Sequence, residues 1–457
     1  GRSTRKVQLR IEQQMKKPET VRRPKWEGIL WLGVGGIGGF VLLGGIGGFL
    51  GGLLGLIFIE SAEPGAGLVD GVRNGFTFCG TAGAIAGIVW SRGRGFNPQT
   101  MRKLKRFHSI KRGYWSFLIL GAAFAISLVG PLVVGSRALV VIHDGKLHLP
   151  ALPFSAKNSG QDFGLAQDKD EQEYTYEVDY RELKAHFEDT GKGFMLMPFI
   201  PYNPNENDFR EGVTHPASPN WQQRHLLGTD RTGRDVLARL FYGFRITMLF
   251  ALVFALMVYL IGVVVGCVMG YFGGWTDLLG QRAVEVWQNI PFLYMVIIIV
   301  AAVSDLPFNL PIWFRISILL SIMVLFSWTS MTYYMRTSVF REKARDYVAA
   351  AQLLGAGPSR IIFNHLLPNT ISTLVTFLPF TVAMAITSIT ALDYLNFGLP
   401  KPTPSWGELL QQGVANLQAP WIVLSAFVAM VTVLTLVTFI GEAIREAFDP
   451  KKFTTYE

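Results

Sequence analysis

The sequence predicts an all-α integral membrane protein of eight spans with a small α+β insertion outside the membrane. Three observations lead there. Apolar residues are gathered into long blocks rather than spread at amphipathic spacing, basic residues cluster beside alternate blocks, and one long polar stretch parts the third block from the fourth. Half of the 457 residues are hydrophobic and only 16% are charged, a balance that a soluble chain hides only by amphipathic spacing. A bilayer core takes about 20 apolar residues as helix, and a helix satisfies its own backbone polar groups there.

The blocks fall at about 29–59, 71–90, 114–135, 242–271, 281–303, 312–335, 370–395 and 420–444. Ahead of them, residues 1–28 hold nine Lys and Arg and no short apolar core of a cleavable signal peptide, so a basic cytoplasmic tail is expected. Residues 29–90 then form a glycine-rich transmembrane hairpin. Its Gly33-Val34-Gly35-Gly36-Ile37-Gly38 matches GxGxxG but follows no strand, so it is not read as a nucleotide loop. The spacings Gly35/Gly39, Gly44/Gly48, Gly47/Gly51 and Gly51/Gly55 suit close packing against another helix.

The linker 91–113 carries eight Lys and Arg and no acid, which places it inside by the positive-inside rule. The span 114–135 therefore leads outward, and 136–228 is an external, periplasmic insertion. Within it, Val140–Leu149 alternates around Asp144-Gly145, a hairpin signal. Tyr180, Leu183 and Phe187 fall at helical spacing ahead of Gly191, and Pro and Asn crowd 198–220 as loop. His143, His148, His186, His215 and His225 show no ligand spacing on one element, so ordinary exposed histidines and no metal are expected. Cys79 and Cys267 lie inside apolar blocks as small hydrophobes.

Residues 229–450 supply five further spans. Segment 336–369 holds five Lys and Arg and lies inside, 396–419 holds Lys401 alone and lies outside, and 451–457 is a cytoplasmic tail. Both termini are then cytoplasmic. The net charge of +9 sits beside spans, which points to membrane lipid rather than nucleic acid as the partner.

Two segments carry more than topology. In 346–356, Tyr347, Ala350, Ala351 and Leu354 recur at i, i+3, i+4 and i+7, the seam of a short helix with two alanines, stopped by Gly355 and Gly357-Pro358. Arg360 and His365 follow, and Pro368 suits the opening of the next span. Such a helix either rests on lipid headgroups or docks in a partner's groove; the small face and abrupt stop favour the groove. In 228–245, Thr229 or Asp230 can cap a helix striped by Val236, Leu237, Leu240, Phe241 and Phe244 and flanked by Arg231, Arg234, Arg239 and Arg245. A helix of this kind either anchors in lipid at the outer interface or braces an outer gate.

The first segment resembles the EAA loop of ABC importer permeases. It has the alanine pair Ala350-Ala351, Gly355 four residues later and the ending Ile361…Leu367-Pro368, with Ala349 where many members carry Glu. Leu226–Arg245, Leu395-Asn396-Phe397-Gly398-Leu399-Pro400 with Pro402–Glu408, Arg106–Ser116 and Ala447-Phe448-Asp449-Pro450 resemble the peptide (Opp/Dpp-like) branch, most of all the E-type permeases of Yej oligopeptide/microcin C importers. The resemblance covers 105–452. It implies a six-helix type I permease core preceded by the extra hairpin, in a bacterial inner membrane. It also implies a homologous permease as heterodimer partner, two cytoplasmic ATPase domains holding ATP and Mg, and a periplasmic or lipid-anchored binding protein. Tyr347, Ala350, Ala351, Leu354, Gly355, Ala356, Gly357, Arg360, His365 and Pro368 would couple to the ATPase. Asp230, Arg234, Asp235, Arg239, Arg245, Pro404, Trp406 and Glu408 would form the outer gate or meet the binding protein.

No GxxxxGK[ST], HExxH or GxSxG occurs in the chain, so nucleotide chemistry has to come from another subunit and no catalytic residues are expected. A secondary transporter is the alternative, with Asp393, Glu285, Arg282 and Arg315 as its ionisable candidates near span ends. A membrane-anchored enzyme acting through 136–228 is a third reading.

Overall fold

The computed structural model describes residues 98–151, 163, 178–191, 193–208, 214–304 and 310–448. The hairpin 29–90, both basic tails and the glycine spacings of the first span lie outside these residues.

The chain is mostly helical. Helix α1 (Pro98–Ser109) occupies the stretch expected as a linker, with Phe107 buried and Lys103 4.8 Å from the Phe448 ring. The block 114–135 is a shorter helix than expected, α2 (Lys111–Leu128), because Gly130-Pro131 turns the chain into a 3-10 helix at Gly130–Leu132. Among the described residues, four helices are long and apolar enough to cross a membrane: α4 (Val236–Phe272), α7 (Ile312–Lys343), α9 (Pro358–Tyr394) and α11 (Pro420–Phe448). The block 281–303 belongs to α5 (Gly274–Gln288) and α6 (Phe292–Ser304), which meet at 68° and make a fifth span if counted together. The break falls at Asn289–Pro291, where proline interrupts the helix ladder.

Helices α4 and α7 run in the same direction along a glycine track. A Cβ at Gly262 would meet Met331 Cβ at 2.7 Å, one at Gly266 the Thr332 carbonyl at 2.6 Å, and one at Gly270 the Arg336 carbonyl at 2.9 Å. Contacts advance together along both helices, so only glycine at these four-residue intervals lets the backbones touch. Helix α9 returns antiparallel to α7, with Tyr334 stacked on Phe377 at 4.1 Å and Ser338 Oγ 3.3 Å from Thr373 Oγ1. The common core includes Phe254, Val258, Met335, Ile386, Ile389 and Ile422.

Proline shapes the start of α9. Pro358 takes the first position of the whole helical stretch, and Pro368 stands in the first turn of Leu367–Tyr394, where the sequence places the opening of the span. A proline ring crowds the carbonyl four residues back, and the helix widens into a π turn at Ile361–Leu366, where the Leu367 N–H bonds the Ile362 carbonyl.

Among the described residues, the insertion is a three-stranded antiparallel sheet in the order β2-β1-β3 with one helix. Strands β1 (Val140–His143) and β2 (Lys146–His148) turn through Asp144 and Gly145, both at positive φ, as a two-residue hairpin requires. Helix α3 (Tyr180–Thr190) is capped by Asp179 and ends on Gly191. Strand β3 (Gly193–Leu196), which has no clear sequence signal, pairs with β1. Val141, Tyr180, Leu183, Phe187 and Met195 form its small core.

Candidate functional site

The bundle has two chemically distinct ends. At the end carrying the insertion, residues 229–235 fold into a turn around one carboxylate. Asp230 Oδ1 accepts from the Thr232 N–H (2.9 Å), the Thr232 hydroxyl (2.8 Å) and the Arg234 N–H (3.0 Å), and Oδ2 accepts from Arg234 Nε (2.7 Å). The helix cap is Asp235, not Thr229 or Asp230. Its Oδ1 accepts from the Ala238 N–H at 2.7 Å, and α4 then runs unbroken for 37 residues with no separate interfacial helix.

From that turn two arginines reach a single acid on α10 (Trp406–Ala415). Arg234 Nη2 donates to Glu408 Oε1 at 3.0 Å, and Arg239 Nη2 donates to Glu408 Oε2. Arg239 also donates to the Pro204 carbonyl at 3.0 Å. Ser405 caps α10 and gives its hydroxyl proton to Asp393 at the end of α9, and the Leu399 N–H donates to the other oxygen of Asp393 at 2.6 Å. Trp406 Nε1 donates to the Leu240 carbonyl at 3.0 Å, while its ring stacks on Phe244 and Pro404 packs buried near Gly243. Asp230 and Arg239 are 0% exposed, Glu408 7% and Arg234 9%. These charges face one another inside the chain instead of presenting themselves to a separate protein. Arg245 stands apart, donating to the Ser127 carbonyl at 3.5 Å and lying over the Tyr242 ring.

Burial alone would raise the Asp230 carboxyl, yet the Arg234 charge with its hydrogen bonds, and Thr232 beside it, hold the group below the ordinary carboxylate range. A second cluster adjoins it that the sequence reading missed. His225 is 2% exposed, not an exposed histidine, with Nδ1 2.8 Å from Asp235 and Nε2 2.9 Å from Asp208 and with Tyr202 stacked at 4.0 Å. Spacings of 17 and 10 residues in irregular chain give no periodic signal that could have found it. Among the described residues no group of His, Cys, Asp and Glu is placed to hold a metal ion.

The far end carries the short helix α8 (Asp346–Leu353), two turns long rather than reaching 356. The expected seam divides. Tyr347 bonds Glu342 at 3.0 Å, and Ala351 and Val348 are buried against the chain, whereas Ala350 is exposed and Leu353 and Leu354 are 90% and 88% exposed. Val348 shares its core with Ile361, Ile362 and Leu366 of the π turn, which fixes the face that turns inward. Gly355 closes the helix at φ +78°, a conformation costly for any residue with a Cβ. Ala356 is half-buried, Gly357, Arg360 and Pro368 are exposed, and His365 is half-buried with its carbonyl accepting from Asn369. Nearby, Arg336 makes a two-pronged bond to Asp277, and Lys343 donates to the Tyr271 carbonyl.

The bundle folds an ionic brace inward at one end and leaves two leucines bare at the other, and its long apolar helices suit a bilayer. It is a multi-pass membrane protein. Residues 262–454 match the family described as binding-protein-dependent transport system inner membrane component. Among curated proteins, the chain is 37% identical over 379 residues to the peptidoglycan transport system permease protein YejE of Agrobacterium fabrum, covering 78% of this chain and 94% of that one. It is 40% identical over 361 residues to the inner membrane ABC transporter permease protein YejE of Escherichia coli, covering 78% and 98%. With the dipeptide transport system permease protein DppC of Escherichia coli the identity is 36% over 257 residues, covering 55% and 81%. The chain belongs to the binding-protein-dependent transport system inner membrane component family, as a permease subunit of an ABC importer and not an enzyme. That membership sets aside the secondary-transporter and membrane-enzyme readings.

Proposed function

We propose that this chain is one half of the membrane pathway through which a bacterium imports peptides or peptide-like compounds across its inner membrane. The names of its relatives, which specify peptidoglycan and dipeptide transport, support the cargo class. The six core spans are α2, α4, the α5–α6 pair, α7, α9 and α11, preceded by the hairpin 29–90. Lys111, Arg112, Arg341, Lys343, Arg345, Arg360 and Arg445 gather at the far end, which supports placing that end and both termini in the cytoplasm and the insertion outside. The other half is a homologous permease. Two ATPase domains hold ATP and Mg, and an external binding protein delivers cargo.

The observation that carries the coupling role is the pair Leu353 and Leu354, almost wholly exposed on a helix of the basic end. Large bare leucines on a soluble face suit burial against a protein partner. In this reading Tyr347, Ala351 and Val348 fasten α8 to the bundle while Ala350, Leu353, Leu354 and Gly355 meet the ATPase, with Ala356, Gly357, Arg360, His365 and Pro368 shaping the loop behind them. Closure of the ATPase pair moves α8, and α9 carries the motion to Asp393, Ser405 and the brace around Glu408, opening and closing the outer end. Asp230, Arg234, Asp235, Arg239, Trp406 and Glu408 thus act as an internal brace of the gate, and Arg245 and Pro404 pack its edges. The test is ATP-driven uptake of a labelled peptide by proteoliposomes holding the complete complex. Uptake lost in Leu353→Asp/Leu354→Asp, with the protein still inserted, supports the reading; uptake at the wild-type rate contradicts it.

A further inference from the structure

The insertion end holds a cavity whose positive charges the brace leaves unused. It measures about 330 Å³ and lies between the end of α6, the start of α7 and the loop from α9 to α10. Small-ligand sites span about 300–1,000 Å³, so a short stretch of peptide fits. Val300, Val303 and Leu319 give it an apolar wall.

Two carboxylates and two cations also border the cavity, and their circumstances differ. Asp393 accepts from Ser405 and the Leu399 N–H, and Glu408 accepts from Arg234 and Arg239, so both acids are engaged. Arg315 bonds only the Ser304 hydroxyl, at 3.4 Å, and Lys401 is exposed; among the described residues neither meets a carboxylate. Among the described residues, the chemistry left available is therefore cationic, beside an apolar wall.

We propose that this cavity receives the carboxylate end of the cargo peptide, with Arg315 clasping it and Lys401 supplying a second cation. An arginine fork matches the two oxygens of a carboxylate, and the apolar wall takes the neighbouring side chain. The assignment rests on the peptide reading above and adds a cargo-contacting site to it. A phospholipid phosphate offers the same anionic chemistry, so the test separates the two sources.

Proteoliposomes holding the complete complex, made with and without phosphatidylglycerol, are given labelled trialanine or its C-terminal amide, each at a concentration saturating the binding protein. The wild type moves the free acid on the order of tenfold faster than the amide, the worth of one charged hydrogen bond. In Arg315→Gln/Lys401→Gln the free acid falls to the rate of the amide, in both lipid mixtures, whereas Arg315→Lys keeps most of the preference. Lys401→Gln alone alters an exposed loop position and is safe for folding; it lowers the preference by about threefold. Wild-type complex that moves both peptides alike, a double variant that keeps the preference, or a preference seen only with phosphatidylglycerol overturns the carboxylate site and leaves the peptide reading standing. Failure of the wild type to move either peptide overturns both.

Discussion

Arg239 and Glu408 stand 169 residues apart in sequence and form a buried ion pair, joining the first turns of α4 to α10. Glu408 also answers Arg234, which Asp230 holds from its other side, so two acids balance two cations. Removing one partner of a buried pair strands a charge and costs roughly 3–5 kcal/mol. Glu408→Ala is expected to cost about that much and to lower the unfolding midpoint of the purified protein by several degrees. Glu408→Gln, which still accepts one hydrogen bond, loses less. A midpoint unchanged in Glu408→Ala contradicts the brace.

Acid acts on the same turn through Asp230. Its carboxyl is held below the ordinary value, so the group contributes stability that is present above its unfolded pKa, about 3.9. That stability is lost as pH falls through the lower folded value. Melting curves below about pH 4 should therefore steepen in the wild type and flatten in Asp230→Asn. Parallel curves for the two proteins over that range count against this origin of acid sensitivity.

The glycine track makes a positional prediction. Gly266→Leu drives a side chain into the α7 backbone and is expected to prevent assembly, by well over the 1–3 kcal/mol typical of overpacked cores. Gly121 on α2 has nothing within 4 Å of its would-be Cβ, so Gly121→Ala should be tolerated and gain up to about 1 kcal/mol from helix propensity. Co-purification yield with the partner permease separates the two outcomes; equal yields argue against close packing at Gly266.

What could be read from the sequence and what could not divide along physical lines. Periodic and compositional signals located the apolar blocks, the Asp144-Gly145 hairpin and the helix behind Gly191, because each depends on local chemistry. The residues of the brace stand out individually in the sequence, as an outer gate or a binding-protein contact, but their pairing with one another does not. A pairing such as Arg239 with Glu408 is set by the packing of α4 on α10, which no local pattern encodes. The same holds for His225 between Asp208 and Asp235 and for Arg336 with Asp277. The glycines at 262, 266 and 270 carry the same four-residue spacing as those in the first span, a local signal of close packing. The spans depart from the apolar blocks where proline acts: Pro131 shortens α2 and Pro291 splits α5 from α6.

Sidedness is open to chemical labelling. With Cys79 and Cys267 replaced, Thr403→Cys is expected to react with an impermeant thiol reagent in spheroplasts, whereas Ser359→Cys reacts only after the membrane is opened. Thr403 is half-buried in the loop from α9 to α10, and Ser359 is exposed in the first turn of α9. Labelling confined to position 359 in intact spheroplasts reverses the topology and removes the coupling argument with it.

The most direct measurement of the coupling claim is site-specific crosslinking at α8 in the assembled complex. Leu354→Cys changes an 88%-exposed side chain behind which Gly355 turns the chain, so folding should be unaffected to within about 0.5 kcal/mol. A bifunctional thiol crosslinker is expected to join this position to the ATPase subunit, with a yield that changes on adding ATP and Mg. A cysteine replacing the exposed Leu260 of α4 should give no such product. Gly355→Trp, forced into a left-handed conformation, should abolish both the crosslink and peptide uptake while the spans remain inserted. Absence of any ATPase crosslink from position 354, together with wild-type uptake in Gly355→Trp, would contradict the account.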